Sequence, residues 1–403
     1  MRSNVSLLQA IVNLHAGTLR ARMAISPRTV NLRIPLLLIL WAFAPQLFGQ
    51  TSVYLNLMEA AQARTSAHGA HVHAAISDGN DAILSGRVPI EQLHRGGYKV
   101  IGGISDSPDE LRDLIHARID GYITDRPDVL IGVLEKEISA AKNSDEKHRL
   151  EVFDVEAHRG GRGLRPESTL PSFENGLDLG ATSLEMDTGV SADNISVVWH
   201  DEYYDSKMCR RVDDKAYANE DHYWIRDKKA AEIQRELICD KTPFSANQKN
   251  DLSLSPVSIA FARKEHLPSP YSPLTLDQIF RFVRFYRAYY SSGQGKRHLR
   301  AKQRVAEAER VRFDIETKLM PDFLPGGDGK LQRTKNHTAE PEAFVKALCP
   351  TVLRNHMEAR SEVQSFDFRT LKLVEDQFSA LPTYYLTSNP ALLAFQTRET
   401  NGR

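Results

Sequence analysis

The sequence predicts an α/β protein built as a (β/α)8 barrel. Short apolar runs that read as strands alternate with stretches of helical period, the order of a parallel sheet with crossover helices. Five chemically capable side chains, His158, Glu185, Asp187, His200 and Glu316, each end or follow such a run, and barrels present their chemistry at the C-terminal ends of their strands. The length, 403 residues, would fit two or three average domains, but a TIM barrel of about 250 residues commonly grows past 400 through loop insertions. One elaborated barrel over 50–403 therefore accounts for the chain after its first 49 residues.

Residues 34–44, IPLLLILWAFA, are apolar, preceded by Arg28 and Arg33 and followed by Gln46 and Gln50. The run is well short of the roughly 20 residues a membrane-spanning helix needs, so it reads as the core of a signal peptide within a leader of residues 1–49. Export to a periplasmic or extracellular location is the consequence. Met23 is an alternative start, Leu47-Phe48-Gly49 an imperfect cleavage site, and a short membrane anchor or a buried helix the competing reading. Residues 54–64 have the pattern of an amphipathic helix and 70–76 that of a strand. Further strand-like runs at 98–104 and 119–125 flank a helical 107–116. Leu130, Val133, Leu134 and Ile138 give 129–142 a helical period, and 143–147 is a polar linker. His94-Arg95-Gly96 reads as a helix end with a glycine cap.

From Val152 a strand leads into His158-Arg159-Gly160 and a glycine-loosened turn to Arg165-Pro166-Glu167-Ser168-Thr169. Next come Leu184-Glu185-Met186-Asp187 and Val197-Val198-Trp199-His200-Asp201. Glu185 and Asp187 stand two apart in an apolar stretch, so strand period puts both on one face, where like charges repel unless a cation lies between them. Glu316 and Lys318 repeat the device in the strand at 311–318. An insertion, 203–305, holds a Lys/Arg/Asp-rich part, a Pro/Ser-rich part and an aromatic helix over 276–290 with Thr275 as its N-cap; on the catalytic face it would set substrate size. Strands at 363–367 and 383–387 and a polar tail complete the chain. The three cysteines fit no zinc spacing; in an exported protein Cys209 and Cys239 could pair to close a loop over the site, while Cys349 reads as a buried thiol. Lysine plus arginine equals aspartate plus glutamate, 52 each, so no global field recruits nucleic acid or an anionic membrane. Any phosphate recognition is local.

In this order, His-Arg-Gly, the Pro-Glu-Ser turn, Glu-x-Asp, His-Asp and Glu-x-Lys resemble the glycerophosphodiester phosphodiesterase family, with Ser168 in place of its usual Asn. Residues 363–367 are similar to that family's next strand, and 98–104 and 119–127 to its last two strands, which here come first. The resemblance implies a circularly permuted TIM barrel. Residues 50–142 would supply strands six to eight of the family order and 151–403 strands one to five, with the insertion between strands two and three. It implies one divalent cation, Ca²⁺ or Mg²⁺, on Glu185, Asp187 and Glu316. Arg159 and Lys318 would meet the phosphate, His158 and His200 would act as general base and acid, and Glu167 and Phe366 would support the substrate. The implied substrate is a small glycerophosphodiester, hydrolysed to glycerol phosphate and an alcohol, with membrane contact only through the leader or a lipid substrate. A phospholipase D-like or phosphatidylinositol-type activity would need an apolar rim, for which the aromatics of 280–290 are candidates; an inactive barrel serving as a binding module is the other alternative. Gly103 stands where the family has Trp and Asp106 where it has Asn, implying a roomier or differently lined pocket with Phe366 and Trp199 as candidate walls.

Overall fold

Eight parallel strands close into a ring in the computed structural model, which describes residues 53–217, 222–325 and 330–401. In chain order they are β1 (Ala75–Ser77), β2 (Lys99–Gly103), β3 (Gly121–Thr124), β4 (Asp154–Ala157), β5 (Ser183–Val190), β6 (Arg312–Thr317), β7 (Ser361–Ser365) and β8 (Thr383–Leu386). Each pairs with the next, and Tyr384 opposite Ala75 joins β8 to β1 and closes the ring. Three strands thus precede the His158 turn and are members of the ring, not a fragment docked outside it. The expected leader, 1–49, lies outside the described residues. Among the described residues no helix is long and apolar enough to cross a membrane.

The two-residue period of each strand sorts its side chains. Leu184, Met186, Phe313, Ile315 and Val363 face outward and pack with the helices into the main apolar core. On β4 to β7 the alternate residues Glu156, Glu185, Asp187, Asp314, Glu316 and Glu362 are buried inside the ring. The other half of the interior is apolar, a small cluster of Ala75, Ile101, Ile123 and Tyr384. A charged half therefore faces an apolar half. Deep in the charged half, burial pushes Glu156 up to about 8, and Arg312 pairs with Glu362 and, at 2.8 Å, with Asp154.

Several elements differ from their sequence expectation for local reasons. The polar linker at 143–147 starts a helix, Ser144–Glu151, because the Asn143 side chain accepts the Glu146 N–H at 2.8 Å and caps it. The first strand is confined to Ala75–Ser77: Ala75 lies opposite Lys99, the first residue of β2, so residues 70–74 have no β2 partner. Ser196–Val198 runs antiparallel to the end of β5 and hangs off the ring as a hairpin. Thr275 does cap the helix Leu276–Ser291, in a capping box with Gln278. That helix turns Phe280, Phe282, Val283 and Tyr286 into the main core, each at most 1% exposed. These four form barrel packing and so are not available as an apolar rim, while Phe285 and Tyr289 are half-buried against the same core.

Candidate active site

The ends of β4 to β7 converge on a cavity of about 250 Å³ whose walls include His158, Arg159, Glu185, His200, Glu316, Lys318 and Phe366. After β4 the chain turns sharply, with φ of 51° at Arg159 and 81° at Gly160. A Cβ on Gly160 would lie 2.5 Å from Ser172 Oγ and 2.7 Å from the Ser172 carbonyl carbon, so glycine lets this turn seat on the start of the helix Leu170–Leu179. The turn presents His158, whose Nδ1 is 2.5 Å from Asp125 Oδ1 at the end of β3 and whose Nε2 is 3.9 Å from Glu185. With Nδ1–H donating to Asp125, Nε2 is the free acceptor. Burial lowers the pKa of this imidazole despite the Asp125 contact, so it is neutral at pH 7.

Glu185, Asp187 and Glu316 offer ligand atoms that all lie within 4.8 Å of one another, and all three side chains are buried. Period two on β5 and the register pairing Glu316 with Asp187 bring them together. Glu185 accepts the backbone N–H of Arg159 at 2.8 Å and an amide N–H of Gln364 at 3.0 Å. Burial first, and then Asp187 and Glu316, push its carboxyl well above the usual range. Burial would raise Asp187 too, but Lys318 and Arg159, at 3.3 and 3.0 Å, hold it far below that range. Neither Asp187 oxygen accepts a well-directed hydrogen bond. Lys318 also reaches Glu316 at 2.9 Å and lies 5.8 Å above the Phe366 ring, and Arg159 donates to Glu167 at 2.7 Å.

His200 follows the hairpin strand, with the neighbouring Trp199 N–H donating to Asp187 O at 3.0 Å, and its own Nδ1 is 2.5 Å from Asp201. Trp199 itself turns away. It is 2% exposed, donates to Tyr203 O and packs with Tyr204, Cys209 and Ile225, so it is core of the insertion and not a wall of the pocket. Gly103 lines the cavity beside Ile123, and a Cβ at Gly103 would lie 3.1 Å from both the Cβ and the carbonyl oxygen of Ile123. None of the described residues of 203–305 lines the cavity. The Cys209–Cys239 disulfide ties up the small core around Trp199 and does not cover the site. The insertion touches the site indirectly, through Phe244 beneath the Arg162 guanidinium at 4.1 Å and Gln248 donating to Arg162 O at 2.7 Å.

The nine residues given catalytic, phosphate, substrate or metal roles from the sequence meet at this site, unlike Trp199, and four others join them. Asp125 holds His158, Asp201 holds His200, and Arg162 and Asp78 line or flank the same cavity. Asp78 and Asp125 were visible by the rule that found the others, since each is the first charged residue after an apolar strand run.

The sequence model of the Glycerophosphoryl diester phosphodiesterase family matches residues 158–401. The chain belongs to that family. The match of this glycerophosphoryl diester phosphodiesterase family member begins at His158, and β1 to β3 lie ahead of it in the chain. An uncharacterized Bacillus subtilis protein, YqiK, is 46% identical over 46 residues, which span 11% of this chain and only 19% of that protein. Among solved structures, a Silicibacter pomeroyi protein bearing the glycerophosphoryl diester phosphodiesterase name is 22% identical, over 59% of this chain and 65% of its own, at a TM-score of 0.39. An Oleispira antarctica phosphodiesterase, solved with the product sn-glycerol-3-phosphate, is 16% identical over 62% of this chain and 72% of its own, at a TM-score of 0.36.

Proposed function

We propose that the protein is a cation-dependent glycerophosphodiester phosphodiesterase, releasing glycerol phosphate and an alcohol. One observation carries this reading: three buried carboxylates within 4.8 Å of one another share a cavity with two histidines, each bonded to an aspartate. The donor set fits a hard divalent cation, Ca²⁺ or Mg²⁺, because it is all oxygen, because Asp187 lacks directed donors, and because Glu185 is pushed up by burial and by its acidic neighbours. When bound on Glu185, Asp187 and Glu316, such an ion would offset the charge of the phosphate oxygens.

Arg159 and Lys318 bring further positive charge to the phosphate, and Glu167 holds the Arg159 guanidinium in place. His158 Nε2 takes the proton of the substrate's own glycerol hydroxyl, whose oxygen forms a new bond to phosphorus. The bond from phosphorus to the head-group oxygen breaks, and His200 supplies that oxygen's proton. Water then opens the resulting cyclic phosphate with the roles reversed: His200 accepts the water proton and His158 returns its proton to the glycerol oxygen. Phe366 walls the pocket beside Lys318. The Cys209–Cys239 disulfide supports an exported protein, since such bonds persist in oxidising compartments.

The test is release of glycerol phosphate from glycerophosphocholine, measured with Ca²⁺ or Mg²⁺, with chelator, and in His158→Ala and His200→Ala. Cation-dependent turnover lost in both variants supports the proposal. Turnover indifferent to chelator or to both substitutions sinks it.

A further inference from the structure

The half of the cavity away from the carboxylates holds a feature the proposed chemistry does not use. Its walls come from the ends of β8, β1, β2 and β3: Leu386, Ile104 and Ile123 are apolar, and a single ionisable side chain, Asp78, stands among them just past β1. In an eight-stranded ring, β1 lies diametrically across from β5, which carries Glu185 and Asp187. Asp78 is 6% exposed, and it accepts the Tyr54 hydroxyl at 2.6 Å and the Gly79 N–H at 2.7 Å. Among the described residues no cation lies within ion-pair distance of it, and Arg87 acts on it only from farther away. Asp187, by contrast, has both Arg159 and Lys318 beside it.

A carboxylate in a pocket built for an anionic phosphodiester repels its substrate unless another part of that substrate is positive. Apolar walls around one anion suit a quaternary ammonium, whose methyl groups leave it weakly hydrated and let it gain from both contacts. We infer that Asp78, with Ile104 and Leu386, forms the subsite for a cationic head group of the choline type. This rests on the phosphodiesterase reading and names the side chain that selects among its substrates. The Tyr54 hydroxyl holds one Asp78 oxygen, so the helix at 53–67 positions the specificity residue.

The experiment compares kcat/KM for glycerophosphocholine with that for glycerophosphoglycerol, whose head group is neutral, in the cation-loaded wild type and in Asp78→Asn. The ratio of the two constants should fall by about tenfold or more in the variant; a ratio within twofold of wild type overturns the inference, as does equal loss on both substrates. Should the variant not fold, wild-type hydrolysis of glycerophosphoglycerol decides: choline should inhibit competitively and its uncharged analogue 3,3-dimethylbutanol should not, and equal effects of the two reject the subsite. If the wild type cleaves neither diester, the function proposed above has failed, a different result from a wild type that cleaves both and ignores Asp78.

Discussion

Asp125 shares one carboxylate oxygen between His158 Nδ1 and Arg162 Nε, at 2.5 and 2.8 Å, so it sets both the tautomer and the orientation of the proposed base. Asp125→Asn keeps the shape but can present an N–H to Nδ1, which would turn the ring's proton toward the cavity. We expect kcat/KM to fall roughly 10²- to 10⁴-fold, by analogy with the orienting aspartate of a catalytic triad. The pH profile gives a second reading. Burial lowers the His158 pKa below its ordinary 6.5 against the raising effect of Asp125, so the acid limb of kcat/KM should lie below 6.5 in the wild type. Removing the Asp125 charge removes the raising contact, and the limb should move further toward acid; a limb displaced toward neutral pH would contradict this role. At Asp187 the expectation concerns binding. Ca²⁺ or Mg²⁺ should raise the melting temperature of the wild type by mass action, and Asp187→Asn should abolish the rise. An equal rise in both proteins would remove Asp187 from the cation site.

The helix Leu170–Leu179 fastens the insertion to the barrel through Glu174 and Asp178, the latter accepting the Tyr286 hydroxyl at 2.6 Å and pairing with Arg304 at 2.9 Å. Glu174, fully buried, accepts the backbone N–H groups of Val257 and Ser258 at 3.1 and 2.7 Å and the Ser258 hydroxyl at 2.6 Å, all at the start of the helix Pro256–Lys264. Burial pushes it up to about 7 against these donors. Its folded pKa thus exceeds the 4.5 of an ordinary glutamate, so between those values the folded state keeps a proton that the unfolded chain has released. The contribution is complete below 4.5 and is lost as pH rises through about 7. Glu174→Gln cannot titrate, so the wild-type-minus-variant difference in melting temperature should shrink across that window; a constant difference, measured by calorimetry at several pH values, would reject the assignment. Elements were legible in the sequence where local period matched tertiary use. Glu185 and Asp187 declared one strand face, and Thr275 declared a helix start. Partnerships set by the ring were not: nothing near His158 points to Asp125, 33 residues earlier, and Trp199 has the same flanks whether it lines a pocket or fills the insertion's core. Phe280, Phe282 and Tyr286 fail as a rim for a similar reason, because their helical period fits burial as well as exposure.

At the scale of the molecule, ring closure makes the chain's starting point arbitrary. A truncated chain beginning at Asn143 would contain the whole family match but lack β1 to β3, leaving β4 and β8 as open edges beside a half-empty interior. It should be insoluble or unfolded. The same residues in a different order should not be. The helices at 53–67 and Pro390–Asn401 flank a common surface groove lined by Asn56, Ala60, Ala63, Ala394 and Thr397, so the described ends of the chain are neighbours. Joining residue 401 to residue 53 through a Gly/Ser linker of about ten residues, and opening the chain between Lys142 and Asn143, preserves every strand pair and leaves Asn143 to cap its helix. This rearranged chain runs from the His158 strand onward, as the family model does. It should be soluble, melt cooperatively and retain the cation-induced rise in melting temperature, because Glu185, Asp187 and Glu316 keep their register. A soluble, cooperative truncation would show that β1 to β3 are dispensable. An unfolded permutant alongside a folded parent would show that the strand order itself, and not only the closed ring, specifies the fold.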